Sequence, residues 1–415
     1  MINITDAISY TECFMQLAKV LDLDENRDDY HSWRVAVVAY MMVKKLNSPD
    51  SLKIFWTGLL HDIGAYGFND FMISTSDSLS VLEKAKIKHH TIRSYDIIKN
   101  ELPGEVHDIA DFAKHHHEKY DGTGFPDGLS GNEIPLCSQI IKIADDFDKA
   151  LRAIPRLPKA TIYNLIRQNI NTEYSREMVE LFLETMENDD FFNKIELEAQ
   201  IPQITNQILS EMPNYKMYLE NDLLEKITEM FALIIDAKHE ETLGHSGRVA
   251  FYCTRIAEYL NLHPKDKLKV KMAGFMHDIG KAAIPRTILN KSSNLTTFEM
   301  HMVKGHPVLT MEILKNMKAF RDIVEIAGYH HERLNGSGYP YGLPAEDIPF
   351  LARIVMVADV YDAMTSGRRY QAFISKQQAL DYLNVQKKIL FDADTVNALT
   401  EVAKNEELKN LDQNY

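Results

Sequence analysis

The sequence predicts an all-α protein made of two tandem domains, and three observations support that prediction. Where hydrophobic periodicity is clear, apolar residues recur at spacings of three and four, and no stretch shows several alternating strands. The chain has 415 residues, whereas a single hydrophobic core stops growing at roughly 250–300 residues. The same ordered set of histidines and aspartates also occurs in each half. Each half is therefore expected to fold as one helical bundle.

The clearest helical patterns lie in the C-terminal half. A helix is predicted over 221–235 and another over 352–364, from the spacing of their apolar residues. Pro307 suits the first turn of a third helix, which would open at His306. Gly280 is expected to serve as a left-handed cap for the helix that precedes it.

Composition limits the classes of partner and compartment. A net charge of −14 opposes extended binding to a nucleic-acid polymer, so an anionic substrate would need local cations. Three cysteines without metal-type spacing indicate a reducing cytoplasm. The first residues do not read as a secretory signal, and the longest promising apolar stretch, 35–43, is too short to span a membrane. A cytoplasmic protein without a membrane partner is predicted.

The histidines and aspartates form an internal repeat. Matching positions are separated by 214 or 216 residues, and ten of the sixteen histidines belong to the set. HSWRV returns as HSGRV, and HDIGA returns as HDIGK. The pairs are His31 and His245, His61-Asp62 and His277-Asp278, His90 and His306, His116-His117 and His330-His331, and Asp145 and Asp359.

Taken singly, these residues favour a structural interpretation. A lone histidine is more often a core residue than a ligand, and the HHE run ending at Glu332 is compatible with a solvated helix face. Recurrence of the whole set reverses that judgement, because structural histidines have no reason to be duplicated together. Imidazole and carboxylate groups suit borderline divalent ions. Two or more neighbouring ions would serve in-line attack on a phosphodiester.

Residues 239–371 resemble the HD-GYP branch of the HD phosphohydrolases. The resemblance is carried by the ordered series HSGRV, HDIGK, a helix-opening histidine, HHERLNGSGYP and ADVYDA. Members of that family fold as helical bundles and hydrolyse bacterial cyclic dinucleotides at a centre of two or three metal ions. The resemblance therefore implies two or three divalent ions, Fe, Mn or Ni, held by Glu241, His245, His277, Asp278, His306, His330, His331 and Asp359.

The resemblance also implies roles for single residues. Asp278 would bridge two ions, while Glu241 and His245 would hold a third. Lys281 corresponds to a lysine of the family that contacts the scissile phosphate, and Arg368 corresponds to an arginine of the family that binds phosphate. Without the resemblance, Lys281 would be read as a favourable cation at a helix C-terminus. The sequence departs from the family pattern at two positions. Asn335 replaces the usual aspartate of the GYP loop, and Gln371 stands where a second basic residue is often found, but neither change removes a metal ligand.

The N-terminal copy keeps the ligands and loses other groups. Its His61, Asp62, His90, His116, His117 and Asp145 could form a second metal site. Ala65 stands at the position of the lysine, Arg27 at that of Glu241, Ile154 at that of Arg368, and Phe125 at that of the GYP tyrosine. We therefore predict a degenerate, regulatory domain over 1–200, which contacts a catalytic domain over 201–415. A homodimer is left open.

The predicted function is hydrolysis of a 3′3′-cyclic dinucleotide to a linear 5′-phosphorylated dinucleotide. The resemblance implies 3′3′-cyclic GMP-AMP as first choice and cyclic di-GMP as second, because tandem family members degrade the former. Asp278 and Lys281 would be catalytic, and Lys281 and Arg368 would bind substrate. Two alternatives remain: a non-catalytic receptor for the messenger, and an HD-type nucleotide phosphohydrolase.

Overall fold

The computed structural model describes residues 10–23, 30–65, 81–212, 221–237, 244–366 and 374–404. Within these ranges the chain is helical and contains no strand, only isolated bridges such as Asn335 with Pro344. This confirms the all-α prediction. None of the described helices is long and apolar enough to cross a membrane.

The helices form two compact units, of which the first contains α1–α10. Its helices are α1 (Tyr10–Asp22), α2 (His31–Lys45), α3 (Ser51–Leu60), α4 (Val81–Glu101), α5 (Asp108–Lys114), α6 (Leu136–Leu151), α7 (Lys159–Gln168), α8 (Arg176–Met186), α9 (Asp189–Glu196) and α10 (Ile201–Glu211). The last helix of this unit, α10, lies beyond residue 200, which is the domain boundary that the sequence predicts.

The second unit contains α11–α20. They are α11 (Asn221–Asp236), α12 (His245–Tyr259), α13 (Pro264–Met276), α14 (Arg286–Leu289), α15 (Thr297–Lys304), α16 (His306–Lys315), α17 (Val324–Gly328), α18 (Phe350–Thr365), α19 (Lys376–Val385) and α20 (Ala393–Ala403). The predicted helices over 221–235 and 352–364, and the one opening at His306, are confirmed as α11, α18 and α16.

The two units repeat one packing pattern. In the first, α2 packs on α3 and α6; in the second, the matching helix α12 packs on α13 and α18. Large apolar side chains fill the centre of each unit, among them Trp56 and Phe147 in the first and Phe231 and Phe320 in the second. Burying each such side chain contributes about 1.5–3 kcal/mol. This packing brings together several of the elements that carry the repeated residues, since His31 and His245 open α2 and α12, and Asp145 and Asp359 lie on α6 and α18.

Candidate metal centre

His277 and Asp278 follow directly after α13, and Ile279–Ala283 then form a 3-10 helix. The Nδ1 atom of His277 lies 2.8 Å from the carbonyl oxygen of Gly274, so it donates its proton there. The Nε2 atom is thereby left as an acceptor and faces the carboxylate of Asp278 at 3.5 Å. Both side chains are buried.

The other oxygen of Asp278 faces His306 and His330, which form a group with His331 on a second set of elements. His306 opens α16, and His330 and His331 follow α17. The Nδ1 atoms of His306 and His330 donate to backbone carbonyls one helical turn earlier. The Nε2 atoms of His306 and His330 lie 3.1 Å apart. Asp278 Oδ1 lies 3.2 Å from His306 Nε2 and 3.9 Å from His330 Nε2.

Asp359, in the middle of α18, completes the cluster on the side of His245. Its Oδ1 lies 3.3 Å from His245 Nε2 and 3.8 Å from His277 Nε2. Asp278 Oδ2 faces the same two nitrogens, at 3.8 Å from His245 and 3.5 Å from His277. The two oxygens of Asp278 therefore face two different histidine groups, which is the arrangement needed for a carboxylate that bridges two ions.

The donor set fits divalent ions. Within each of three triads the candidate ligand atoms lie within 4.8 Å of one another: His306, His330 and His331; His245, His277 and Asp359; and His277, Asp278 and His330. Buried polar groups normally have partners, yet His277 Nε2 and Asp278 Oδ1 find none among the side chains and backbone described here. Ions at these positions would satisfy both atoms.

The protonation states of His306, His331 and Asp278 suit metal binding. Burial lowers the pKa of His306 to about 4 and that of His331 to about 3, so both rings are neutral at pH 7. Burial opposes the charged form of Asp278, but Lys281 and the neighbouring histidines hold the pKa of that carboxyl well below its usual value. Neutral imidazole and ionised carboxylate are the forms that bind metal.

His245 is oriented by groups that the sequence analysis missed. Its Nδ1 donates to Asp362 Oδ2 at 2.7 Å, and the guanidinium of Arg248 donates to the other oxygen of Asp362, also at 2.7 Å. Burial opposes charge on His245, but Asp359 and Asp362 raise its pKa to about 10, so an ion that binds Nε2 must displace the proton that this ring carries at pH 7. The spacing of Asp362, three residues after Asp359 on one helix face, was the signal that could have revealed it.

Replacing Asp362 with alanine should weaken metal binding. Carboxylates that orient a ligating histidine typically contribute 10–100-fold in metal affinity or activity. We therefore expect Asp362→Ala to lower Mn²⁺ affinity by about 10–100-fold, measured by competition with a chelating dye. Asp362→Asn keeps an acceptor for His245 and should lose less. The control is Asp322→Ala, an exposed carboxylate paired with Lys269; equal affinities in all variants would contradict the prediction.

Lys281 lies beside Asp278; its predicted contact with the scissile phosphate stays a prediction. Its ammonium is 2.5 Å from Asp278 Oδ2 and is held there by the 3-10 helix.

Gly280 is not a left-handed cap, and that prediction was wrong. A Cβ at Gly280 would lie 2.1 Å from the carbonyl oxygen of His306, so this position requires glycine for close packing of the 3-10 helix against α16. Glu241 and Arg368 lie outside the described residues.

The loop of sequence GSGYP, Gly336 to Pro340, contacts the centre through Tyr339. Its ring centroid lies 4.6 Å from that of His331. Glu332 anchors the loop and is fully buried, so the solvated-face interpretation of the HHE run is wrong for this residue. The carboxylate of Glu332 accepts backbone N–H groups of Tyr341 at 2.8 Å and Leu343 at 3.0 Å.

Removing that anchor should destabilise the C-terminal domain. Glu332→Ala leaves two backbone N–H groups unpaired, at about 1–3 kcal/mol each. We expect the free energy of unfolding to fall by about 3 kcal/mol, measured by urea denaturation. The exposed Glu346→Ala serves as control. A Glu332→Ala protein as stable as that control would show that water replaces the carboxylate without loss.

The N-terminal copy repeats this arrangement. Asp62 Oδ1 lies 3.2 Å from His90 Nε2 and 3.5 Å from His116 Nε2, while Oδ2 lies 3.5 Å from His61 Nε2. The candidate ligand atoms again cluster within 4.8 Å, in the groups Asp62, His90, His116 and His117, and His31, His61 and Asp145. The orienting groups are repeated as well, since His31 contacts Asp148, which is bound by Arg34.

Comparison with known proteins agrees with this duplication. The HD domain family matches the chain twice, over residues 16–175 and 229–395. The 3′3′-cGAMP-specific phosphodiesterase 3 of Vibrio cholerae is 26% identical, over 94% of this chain and 93% of its own length. A cyclic di-GMP phosphodiesterase response regulator of Xanthomonas campestris is 36% identical, over 50% of this chain and 56% of its own.

A solved structure supports the fold. The crystal structure of a cyclic GMP-AMP specific phosphodiesterase of Vibrio cholerae superposes with a TM-score of 0.68 at 23% identity, covering 97% of this chain and 99% of that one. Two family matches, duplicated ligand clusters and a shared helical fold lead to one conclusion. The chain belongs to the HD domain family and carries two copies of that domain in tandem.

Proposed function

We propose that this chain is a metal-dependent phosphodiesterase that hydrolyses a bacterial 3′3′-cyclic dinucleotide to a linear 5′-phosphorylated dinucleotide. Catalysis is assigned to the C-terminal domain. One observation carries the proposal: the oxygens of Asp278 face two histidine groups, and the ammonium of Lys281 lies on the same carboxylate. The similarity to 3′3′-cGAMP-specific and cyclic di-GMP phosphodiesterases supports the substrate class.

Each side chain then has a defined part in the chemistry. Two ions, when bound, supply an activated water and neutralise charge on the phosphoryl oxygens. His306, His330 and His331 would hold one ion, His277 and Asp359 the other, and Asp278 would bridge them. His245 would complete the second group or, as the resemblance implies, hold a third ion with Glu241. Lys281 places a positive charge beside the centre, where it stabilises negative charge that develops on the phosphoryl group. Fe, Mn and Ni are the candidate ions.

The proposed substrate order is 3′3′-cyclic GMP-AMP first and cyclic di-GMP second. Support comes from the relative that matches 94% of this chain, whose name specifies 3′3′-cGAMP. The N-terminal domain is proposed to be regulatory, because Ala65 and Phe125 replace the lysine and tyrosine of the C-terminal copy. A cytoplasmic location is supported by Cys13, Cys137 and Cys253, which are all free and buried.

Chromatography of reaction products tests the proposal. The full chain, loaded with Mn²⁺ or Fe²⁺ under reducing conditions, is incubated separately with the two cyclic dinucleotides. We expect linear products from both, formed faster from 3′3′-cyclic GMP-AMP. Intact substrates with both ions would overturn the enzymatic assignment, and retained binding would then favour a receptor. Faster cleavage of cyclic di-GMP would overturn the substrate order alone.

A further inference from the structure

The N-terminal cluster has its own lysine, which comes from a different element than Lys281. Ala65 occupies the position that matches Lys281. On α6, however, Lys149 places its ammonium 2.5 Å from Asp145 Oδ2. The corresponding position of the C-terminal copy, four residues after Asp359, is Ala363. Each cluster therefore has one ammonium on one of its ligand carboxylates, supplied from a different place in the fold.

Lys149 leaves the metal-facing side of Asp145 open. The ammonium lies on Oδ2, while Oδ1 faces His31 Nε2 at 3.7 Å. Asp145 Oδ1 and His61 Nε2 are both buried and have no hydrogen-bond partner within the described chain. An ion held by His31, His61 and Asp145 is therefore compatible with the lysine. The ammonium supplements the ions and does not compete with them for this oxygen.

Two groups of the N-terminal cluster, Lys149 and Asp62, are partly exposed to solvent. The side chain of Lys149 is 37% exposed, and that of Asp62 is 15% exposed, against 4% for Asp278 in the C-terminal copy. A second ammonium, that of Lys88, lies 5.5 Å from the ring centroid of Phe125, which packs on His117 at 4.9 Å. Lys149 therefore contacts one member of the cluster directly, and Lys88 lies near another through Phe125. Together with bound ions, the two lysines would attract an anion.

We propose that the N-terminal cluster is a binding site for a phosphate-bearing anion, in which Lys149 supplies the positive charge that Ala65 cannot supply. The inference rests on the proposed metal dependence, but not on hydrolysis by the C-terminal domain. It gives the N-terminal domain a ligand class, a phosphomonoester or phosphodiester, and it places the ligand beside Asp62 and Asp145. Phosphate oxygens bind both divalent ions and ammonium groups.

Binding of inorganic phosphate to the full chain tests the inference. The Asp278→Ala variant, loaded with Mn²⁺, is titrated with phosphate while paramagnetic broadening of the ³¹P resonance is followed. The double variant Asp278→Ala/Asp62→Ala lacks the N-terminal contribution to phosphate binding. The difference in phosphate binding between the single and the double variant therefore measures binding at the N-terminal cluster. We expect Lys149→Met to weaken this binding by about tenfold, a change of about 1.4 kcal/mol, and Lys149→Arg to weaken it less.

Lys44→Met is the matched control. Lys44 lies on α2 thirteen residues after His31, about 20 Å along the helix, and pairs with Glu211. If the Asp278→Ala protein and the double variant Asp278→Ala/Asp62→Ala bind phosphate equally, the inference is overturned. It is also overturned if Lys149→Met binds an additional Mn²⁺ ion, measured by elemental analysis, because the ammonium would then occupy the place of an ion. Hydrolysis by the unmodified chain is measured separately, so failure here leaves the proposed function intact.

Discussion

Replacing Asp278 with alanine is expected to abolish hydrolysis of the cyclic dinucleotide. The two oxygens of Asp278 face both histidine groups, so the change removes a ligand from each ion position. Metal ions contribute several kcal/mol of transition-state stabilisation. A loss of about 4 kcal/mol corresponds to a fall in rate of about 10³-fold. Product formation and bound metal per chain would both be measured, and both should fall.

Two further variants show whether that loss is specific. Asp322→Ala removes an exposed carboxylate of the same domain and should retain activity. Asp62→Ala is the corresponding change in the N-terminal cluster, and its effect on hydrolysis should be far smaller than that of Asp278→Ala. If Asp62→Ala abolished hydrolysis while Asp278→Ala did not, catalysis would belong to the N-terminal domain.

Replacing Lys281 with methionine is expected to lower kcat by about 10²–10³-fold, the usual consequence of removing one preorganised group that stabilises transition-state charge. The ammonium of Lys281 lies 2.5 Å from Asp278 Oδ2, so it contacts the cluster through this carboxylate. Methionine has a similar length, so the domain should fold. Because Lys281 is not a ligand, bound metal should stay unchanged while kcat falls, which separates this variant from Asp278→Ala.

Lys269→Met is the control for the lysine change. Its ammonium forms a surface ion pair with Asp322 on the same domain, at 3.0 Å. Surface ion pairs contribute little to stability, at about 0–1 kcal/mol. This variant should keep both kcat and metal content. A Lys281→Met protein with the kcat of this control would show that the ions alone stabilise the developing charge.

The ligand set could be predicted from sequence because metal binding needs particular residue types at fixed spacing. The pair His277-Asp278, the residues His306 and His330, and Asp359 lie in separate segments of the chain, yet the structure brings their ligand atoms together. The repeat revealed them, since a duplicated set is improbable for structural histidines. The helical fold followed from hydrophobic periodicity, which depends only on neighbouring residues.

Other features depended on packing between distant elements. Gly280 read as a helix cap because its neighbours suggested one, but its backbone packs against His306, which is remote in sequence. Glu332 read as solvated, although loop amides from Tyr341 and Leu343 surround its carboxylate. In both cases the partner lies outside the local window on which propensities are based.

Sequence by itself therefore determined the all-α class, the duplication and the set of candidate metal ligands, because these are encoded in spacing and residue type. Only the tertiary structure decided which oxygen of Asp278 faces which histidines, which carboxylate orients His245, and where the N-terminal cluster has its lysine. A lysine one turn after an aspartate, as in Lys149 and Asp145, reads as an ordinary helical ion pair. Its position at a metal cluster follows from the packing of α6 against α2, which brings Asp145 to His31.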